Sequence, residues 1–208
     1  MTSTNHPWEQ IFRKQNWGSK EPFPRFFEVV KHFLVHECKH ILDLGCGNGR
    51  HLIQFLKEGL DVVGMDISIS ALRLAWKWAR EEKIKAKLLQ ADMRLFFPFQ
   101  EGVFDGVFST QVIHHACIAD VRRTISEIYR ILGSGGWAFI TVSGKVDVGI
   151  GHQQIEPGTY IPLSGLEKGL PHHIFSEEEI RMEFDDFQVE EISSRAGGKV
   201  IAVMARKP

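Results

Sequence analysis

From residue 40 onward, short apolar runs alternate with amphipathic stretches, and that alternation constrains the fold more than any other feature of the chain. HILDL (40–44), DVVGMD (61–66), KAKLLQAD (85–92), FDGVFST (104–110) and WAFITVS (137–143) read as buried strands. Between them lie stretches with apolar residues at helical spacing. These are Arg50 to Leu60, the face formed by Ala71, Leu72, Ala75, Trp78 and Ala79, and residues 117–132. Ser68 or Ser70 supplies a cap for the second of these helices. Strands that alternate with helices form right-handed βαβ units, which predicts an α/β fold with a mostly parallel sheet covered on both faces. FQVEEISSR and KVIAVMAR, around Gly197 and Gly198, predict a terminal β-hairpin.

A chain of 208 residues suits one domain with a full core. Two helices are expected before the alternation, over 7–17 and 25–37. Residues 144–174 hold six glycines, three prolines and three histidines without a clear period, and long excursions of this kind often form lids. SEEEIRMEF (176–184) returns to helix, with Ser176 and Glu179 in capping-box spacing.

The net charge is −1 and no Lys/Arg block stands out, which weighs against a dedicated nucleic-acid binder. Three scattered cysteines, Cys38, Cys46 and Cys117, suggest no disulfide framework. MTSTNHPWEQ lacks the basic and apolar regions of a secretory signal, and no run of about 18 apolar residues exists to span a membrane. A cytoplasmic location is expected.

ILDLGCGNGRH (41–51) carries the chemistry. Glycines between a strand and a helix let the backbone approach a ligand closely. A dinucleotide fingerprint, G-x-G-x-x-G, requires glycine at position 50, which is Arg; the third glycine, Gly49, comes one residue early. A P-loop requires Lys followed by Ser or Thr, and neither follows. Asp43, at the strand end, disfavours a phosphate and suits a cationic ligand.

D-x-G-x-G-x-G after a first strand resembles motif I of the class I S-adenosylmethionine (SAM) methyltransferases, and further motifs follow in that family's order over roughly residues 40–205. The resemblance implies a Rossmann-like, seven-stranded, mostly parallel sheet with an antiparallel last strand. The closest likeness is to the methyltransferase-11 type, which includes ubiquinone-biosynthesis and tellurite-resistance methyltransferases. On this resemblance Asp43, Gly45, Cys46, Gly47 and Gly49 form the turn beside SAM. Asp66 takes the ribose hydroxyls, Ile67 packs on adenine, and Asp92 with Met93 lies around the adenine amino group. FDGVFSTQVIHHA (104–116) resembles motif IV and brings Ser109 and Gln111 beside the methionine part. ILGSGGWAFIT resembles the family's L-x-P-G-G turn, with Ser134 where proline is usual.

The implied chemistry is methyl transfer from SAM to a small-molecule acceptor, leaving S-adenosylhomocysteine. Residues 1–39 are expected to cover the active site of a core spanning 40–208, with 144–174 as a lid-like insertion. His114 and His115 follow the fourth strand, where a neutral histidine serves as a general base; packing or helix capping is the other reading. Trp17, Tyr160, His172 and His173 are candidates for the acceptor pocket. Arg50 either reaches an anionic group of a ligand or is a solvated first-turn residue. His36, Cys38 and His40 lack metal-site spacing, and no metal is expected. Alternatives are an RNA or protein acceptor, although 109–112 reads STQV rather than N-P-P-[YF], and a non-catalytic SAM-binding protein. A nicotinamide oxidoreductase rests on the glycine turn alone.

Overall fold

The computed structural model describes residues 6–15, 18–145 and 151–208. Helices α1 (Pro7–Gln15) and α2 (Phe26–Val35) precede the alternating core. The core runs β1 (His40–Leu44), α3 (Leu52–Lys57), β2 (Asp61–Asp66), α4 (Ile69–Glu81), β3 (Lys87–Gln90), β4 (Phe104–Thr110), α5 (Ile118–Ile131) and β5 (Leu132–Ser143). An insertion holds β6 (His152–Glu156), β7 (Thr159–Pro162) and β8 (His172–His173), and α6 (Glu177–Glu183), β9 (Gln188–Arg195) and β10 (Val200–Arg206) complete the chain.

The main sheet has seven strands in the order β3-β2-β1-β4-β5-β10-β9. The strands from β3 to β5 pair in parallel, whereas β10 runs antiparallel to both β5 and β9. This is the expected architecture. Successive residues divide between its two faces, as a pleat requires. Leu42, Val107, Ala138, Ile140, Ile201 and Val203 pack with Ile125 and Ile128 of α5 and Phe184 beside α6. Their neighbours Ile41, Phe108, Trp137, Phe139 and Ala202 pack with Phe26 and Phe33 of α2 and Phe55 of α3. Each face is dry, so both helical layers are needed to cover the sheet.

Strand β3 is shorter than the expected 85–92, β5 begins at Leu132 rather than at 137, and two further differences from expectation have identifiable reasons. Helix α3 is shorter than the expected 50–60. The glycine turn runs on to His51, and Gly59 takes a left-handed conformation (φ +83°) as Leu60 N donates to Phe55 O, which stops the helix. The excursion is also more regular than its composition suggested: β6, β7 and β8 form a three-stranded antiparallel meander.

Side chains tie the additions to the core. Glu9 of α1 is 5% exposed and accepts hydrogen bonds from Ser68 Oγ (2.7 Å), Ser70 N (3.0 Å) and Ser70 Oγ (2.6 Å). A carboxylate there satisfies and neutralises the N-terminus of α4. Glu156 of the insertion accepts from Ile118 N at 2.6 Å, the first residue of α5, whose own N-cap residue Cys117 makes no side-chain cap. Among the described residues, no helix is long and apolar enough to cross a membrane.

Candidate active site

A cavity of about 650 Å³ opens at the carboxyl ends of β1, β2 and β4, within the usual range for small-molecule sites. This is the edge at which ligands bind in sheets of this topology. One end of its wall is the glycine turn with Asp66, Ile67, Asp92 and Met93; the other holds Gln111, His114, His115 and His172.

The turn is shaped by close contacts. Gly45 has φ +72°, and a Cβ there would lie 2.4 Å from Val112 Cγ2, so only glycine lets the segment after β4 close over the turn. Gln111 also takes a left-handed conformation (φ +57°), fastened by its amide to Thr141 O and Thr141 Oγ1, both at 3.0 Å. Strain at a non-glycine residue bends the chain directly after β4 and carries Val112–His115 across the cavity mouth.

Asp66 closes the end of β2. Its Oδ2 accepts from Gly47 N (2.9 Å) and its Oδ1 from Ser68 N (2.8 Å). Each oxygen retains a lone pair that a ligand hydroxyl can use. Burial pushes its carboxyl up to about 6, against the opposing effect of these amides. Asp92 lines the cavity too, but Arg94 already grips both its oxygens, from Nε at 2.9 Å to Oδ1 and from Nη2 at 2.6 Å to Oδ2. Burial raises the Asp92 carboxyl, and the Arg94 bonds outweigh it, leaving it below the usual range.

Asp43 sits elsewhere than expected. It is 1% exposed beneath the turn and does not line the cavity, because the pleat of β1 turns it toward the start of α3. Its Oδ2 is buried without a hydrogen-bond partner among the described residues. Burial pushes its carboxyl up to about 7, opposed by the Arg50 charge and the Leu52 amide. Any influence of Asp43 on a ligand is therefore through charge rather than contact. Arg50 itself lines the cavity, half-buried.

Other expected site residues also fall outside the wall. Gly49 packs under the turn, where a Cβ would lie 2.9 Å from Ala75 Cβ. Ser109 spends its hydroxyl on Leu44 O at 3.0 Å, tying β4 to β1. Tyr160 pairs with His172 across β7 and β8 but stands one strand farther from the cavity. His173 is on the opposite side of β8 from His172, buried between Thr159 Oγ1 (2.7 Å from Nδ1) and Glu179 Oε1 (2.8 Å from Nε2). It is a strut of the insertion. Cys46 borders the cavity, but burial keeps its thiol protonated, raised well above the ordinary value, so it is no nucleophile. Trp17 lies outside the described residues.

The structure adds wall residues that were not individual site candidates in the sequence. His6, Trp8 and Phe12 of the N-terminal segment close one side, with the Phe12 ring 3.4 Å from where a Gly47 Cβ would sit. His51 is wedged between the Phe26 and Phe108 rings, with centroid distances of 5.4 and 4.8 Å, and accepts from Phe23 N at 3.0 Å. Arg94 and Glu167 complete the rim.

At the far end, His114 and His115 from the turn after β4 meet His172 from β8. One ring nitrogen from each lies within 4.8 Å of the others. All three are held uncharged. Burial drives His114 well below its ordinary value, with its histidine neighbours adding to the effect. Burial takes His115 down to about 3, and His172 down to about 4. The Trp8 ring stands edge-on to His115 at 5.1 Å, so α1 walls in this cluster. His36, Cys38 and His40 diverge instead. His36 Nδ1 lies 2.9 Å from His32 O, and His40 Nδ1 lies 3.1 Å from Asp61 Oδ2.

Comparison with known proteins bears on the fold and the family likeness. The methyltransferase-11 family, described as "Methyltransferase domain", matches residues 42–140. Phosphoethanolamine N-methyltransferase 2 of Caenorhabditis elegans is 35% identical over 122 residues, covering 58% of this chain and 27% of that protein. A malonyl-[acyl-carrier protein] O-methyltransferase of Legionella pneumophila is 35% identical over 130 residues, covering 60% of this chain and 43% of that protein. The matched stretch thus spans less than half the length of either relative. A SAM-dependent methyltransferase from Methanosarcina mazei superposes with a TM-score of 0.72 at 21% identity, covering 90% of this chain and 98% of that one. The match to the methyltransferase-11 family thus covers residues 42–140, and the chain shares its fold with solved SAM-dependent methyltransferases.

Proposed function

We propose that the protein transfers a methyl group from SAM to a small-molecule acceptor. The observation that carries this reading is Asp66, a buried carboxylate in the cavity wall whose two oxygens hold backbone amides and still have lone pairs for a ribose diol. The rest of the wall fits the same cofactor. The glycine turn passes without side chains beside Asp66, and Arg50 lines the wall as a counter-charge for a carboxylate. Asp43, with its Oδ2 unpaired among the described residues behind the turn, favours a cation above it.

SAM supplies an activated methyl on a sulfonium, so the protein's part is orientation and exclusion of water. Ile67 and Met93 offer apolar surface to a flat base between Asp66 and Asp92. Because Arg94 occupies the Asp92 carboxylate, Asp92 serves chiefly to place Arg94 and the loop after β3. Gln111 and the histidine cluster form the acceptor end, where a neutral imidazole takes a hydrogen bond or a proton from the attacking atom. Helix α1 and the insertion close over that end through Trp8 and His172. The two sequence relatives are named for a nitrogen and an oxygen acceptor, respectively. The family therefore leaves the accepting atom open.

Thermal unfolding with and without S-adenosylhomocysteine tests the reading. At about 100 times Kd, a ligand bound only to the native state adds about 2.7 kcal/mol, a rise of roughly 5–10 °C for a chain of this size. Asp66→Ala is expected to abolish most of that rise. Absence of any shift in the wild type at millimolar ligand sinks the proposal. Salt-sensitive retention of RNA on a filter moves the acceptor from metabolite to nucleic acid.

A further inference from the structure

We propose that His114, His115 and His172 form a divalent-metal site, suited to zinc, whose remaining coordination position opens into the cavity. The three residues come from two separate segments, the turn after β4 and strand β8, yet present one nitrogen each within 4.8 Å of the others. All three line the cavity. Three neutral imidazoles and one open position are a donor set that suits zinc, and the open side is where an exogenous ligand binds.

Unmet hydrogen-bonding capacity points the same way. His114 is 3% exposed, and its Nδ1 is buried with no hydrogen-bond partner among the described residues. His172 Nε2 is also buried without a hydrogen bond among the described residues; Glu167 Oε2 is 3.5 Å away. A buried polar nitrogen left unpaired costs about 1–3 kcal/mol, and two in one cluster of three residues are unusual in a native core. A metal ion accepts such lone pairs directly. Glu167 stands beside His172 as a compensating charge, and the Val112 carbonyl interacts with the His115 ring, the kind of outer partner that orients a metal-bound histidine. Tetrahedral zinc with bonds of about 2.0–2.1 Å places its nitrogens about 3.4 Å apart. Closing from 4.8 Å to that spacing asks for rotation of the rings about their side-chain torsions.

The open position defines an acceptor class, and this part of the inference rests on the methyl-transfer reading above. An acceptor with an ionisable hydroxyl or thiol binds there through that atom. Its O–H or S–H bond breaks, the proton passes to water, and the resulting anion is held by the metal. With the metal bound the three imidazoles act as its ligands, and the metal supplies the activation that a free imidazole gives as a base in its absence.

Chelator-treated protein is titrated with Zn²⁺ and, separately, with Co²⁺. The expected result is one equivalent bound, an absorption spectrum of four-coordinate Co²⁺, and at least tenfold weaker binding in each of His114→Ala, His115→Ala and His172→Ala. His172→Ala is expected to keep its thermal shift with S-adenosylhomocysteine, which shows that it is folded. No saturable binding in the wild type overturns the proposal, as does wild-type affinity in all three variants. Metal binding without any S-adenosylhomocysteine shift leaves the site standing and removes the methyl-transfer reading. The reverse pattern removes the metal site alone.

Discussion

Single residues at the site are governed by what lies behind them as much as by the cavity they face. Gly45 is the clearest case. Its Cβ position is already filled by the Val112 side chain, and its backbone is left-handed. Gly45→Ala therefore combines conformational strain with overpacking and is expected to cost roughly 2–4 kcal/mol in urea denaturation. It should also weaken S-adenosylhomocysteine binding, because the only relief is to push Val112 and the following histidines outward. A loss under 0.5 kcal/mol would show that the turn and the β4 segment are not in contact. Cys46, one residue on, makes the opposite point. Its position in the motif suggests a ligand neighbour, yet its sulfur fills the space above Gly64, where a Cβ would lie 2.8 Å from Sγ.

At the scale of elements, the additions to the core are held by carboxylates placed on helix N-termini. Glu9 fastens α1 to α4 through Ser68 and Ser70, and Glu9→Ala leaves two hydroxyls and an amide without their acceptor. The expected result is a loss of about 1–3 kcal/mol and faster amide exchange over 7–15, while the sheet keeps its protection. Unchanged exchange in α1 would mean that its packing alone holds it. Glu156 does the same for the insertion, where it holds Ile118 N and Thr159 Oγ1, which leads on to His173 and Glu179. Glu156→Ala is expected to raise exchange in 152–173 and at the start of α5 together. The shared response distinguishes a strut from a loop that moves alone. Because this network positions β8, the same variant should lower acceptor turnover more than cofactor affinity.

The whole molecule should register the buried acids of the site in its pH dependence. Asp66 titrates at about 6 and Asp43 at about 7 when folded, against about 3.9 in an unfolded chain. Between about pH 4 and 7 the folded state binds more protons, so these groups make the ligand-free protein less stable as pH rises through that window. For Asp66 the shift of roughly two units corresponds to about 3 kcal/mol. Asp66→Asn should therefore remove the Asp66 share of that slope, between about pH 4 and 6, and leave the Asp43 share up to about pH 7, as followed by denaturant unfolding at each pH. A ligand that hydrogen-bonds the ionised form has the opposite preference. Affinity for S-adenosylhomocysteine is expected to rise from about pH 5 to 7, by up to tenfold per unit below about pH 6, and then level off. Calorimetry in buffers of different ionisation enthalpy should detect proton release on binding near pH 6. A flat affinity profile would remove Asp66 from ligand contact.

The alternation from residue 40 determined the sheet, its parallel core and the site at its carboxyl edge, because apolar period and turn chemistry are local properties. Asp66 and the glycine turn were legible for the same reason: a strand end and the turn beside it lie on one short stretch of chain. The acceptor end was not. His114 and His115 were visible as a pair, but their meeting with His172 depends on how a 31-residue excursion with no period folds back, and on Glu156 and His173 fastening it. The same applies to Trp8 and Phe12, whose side of the cavity is decided by Glu9 gripping α4, and to Asp43, which the pleat turned away from the ligand. Local pattern specifies which backbone forms. Only tertiary contact, through long-range hydrogen bonds and mutual exclusion of side chains, decides which distant residues share one pocket.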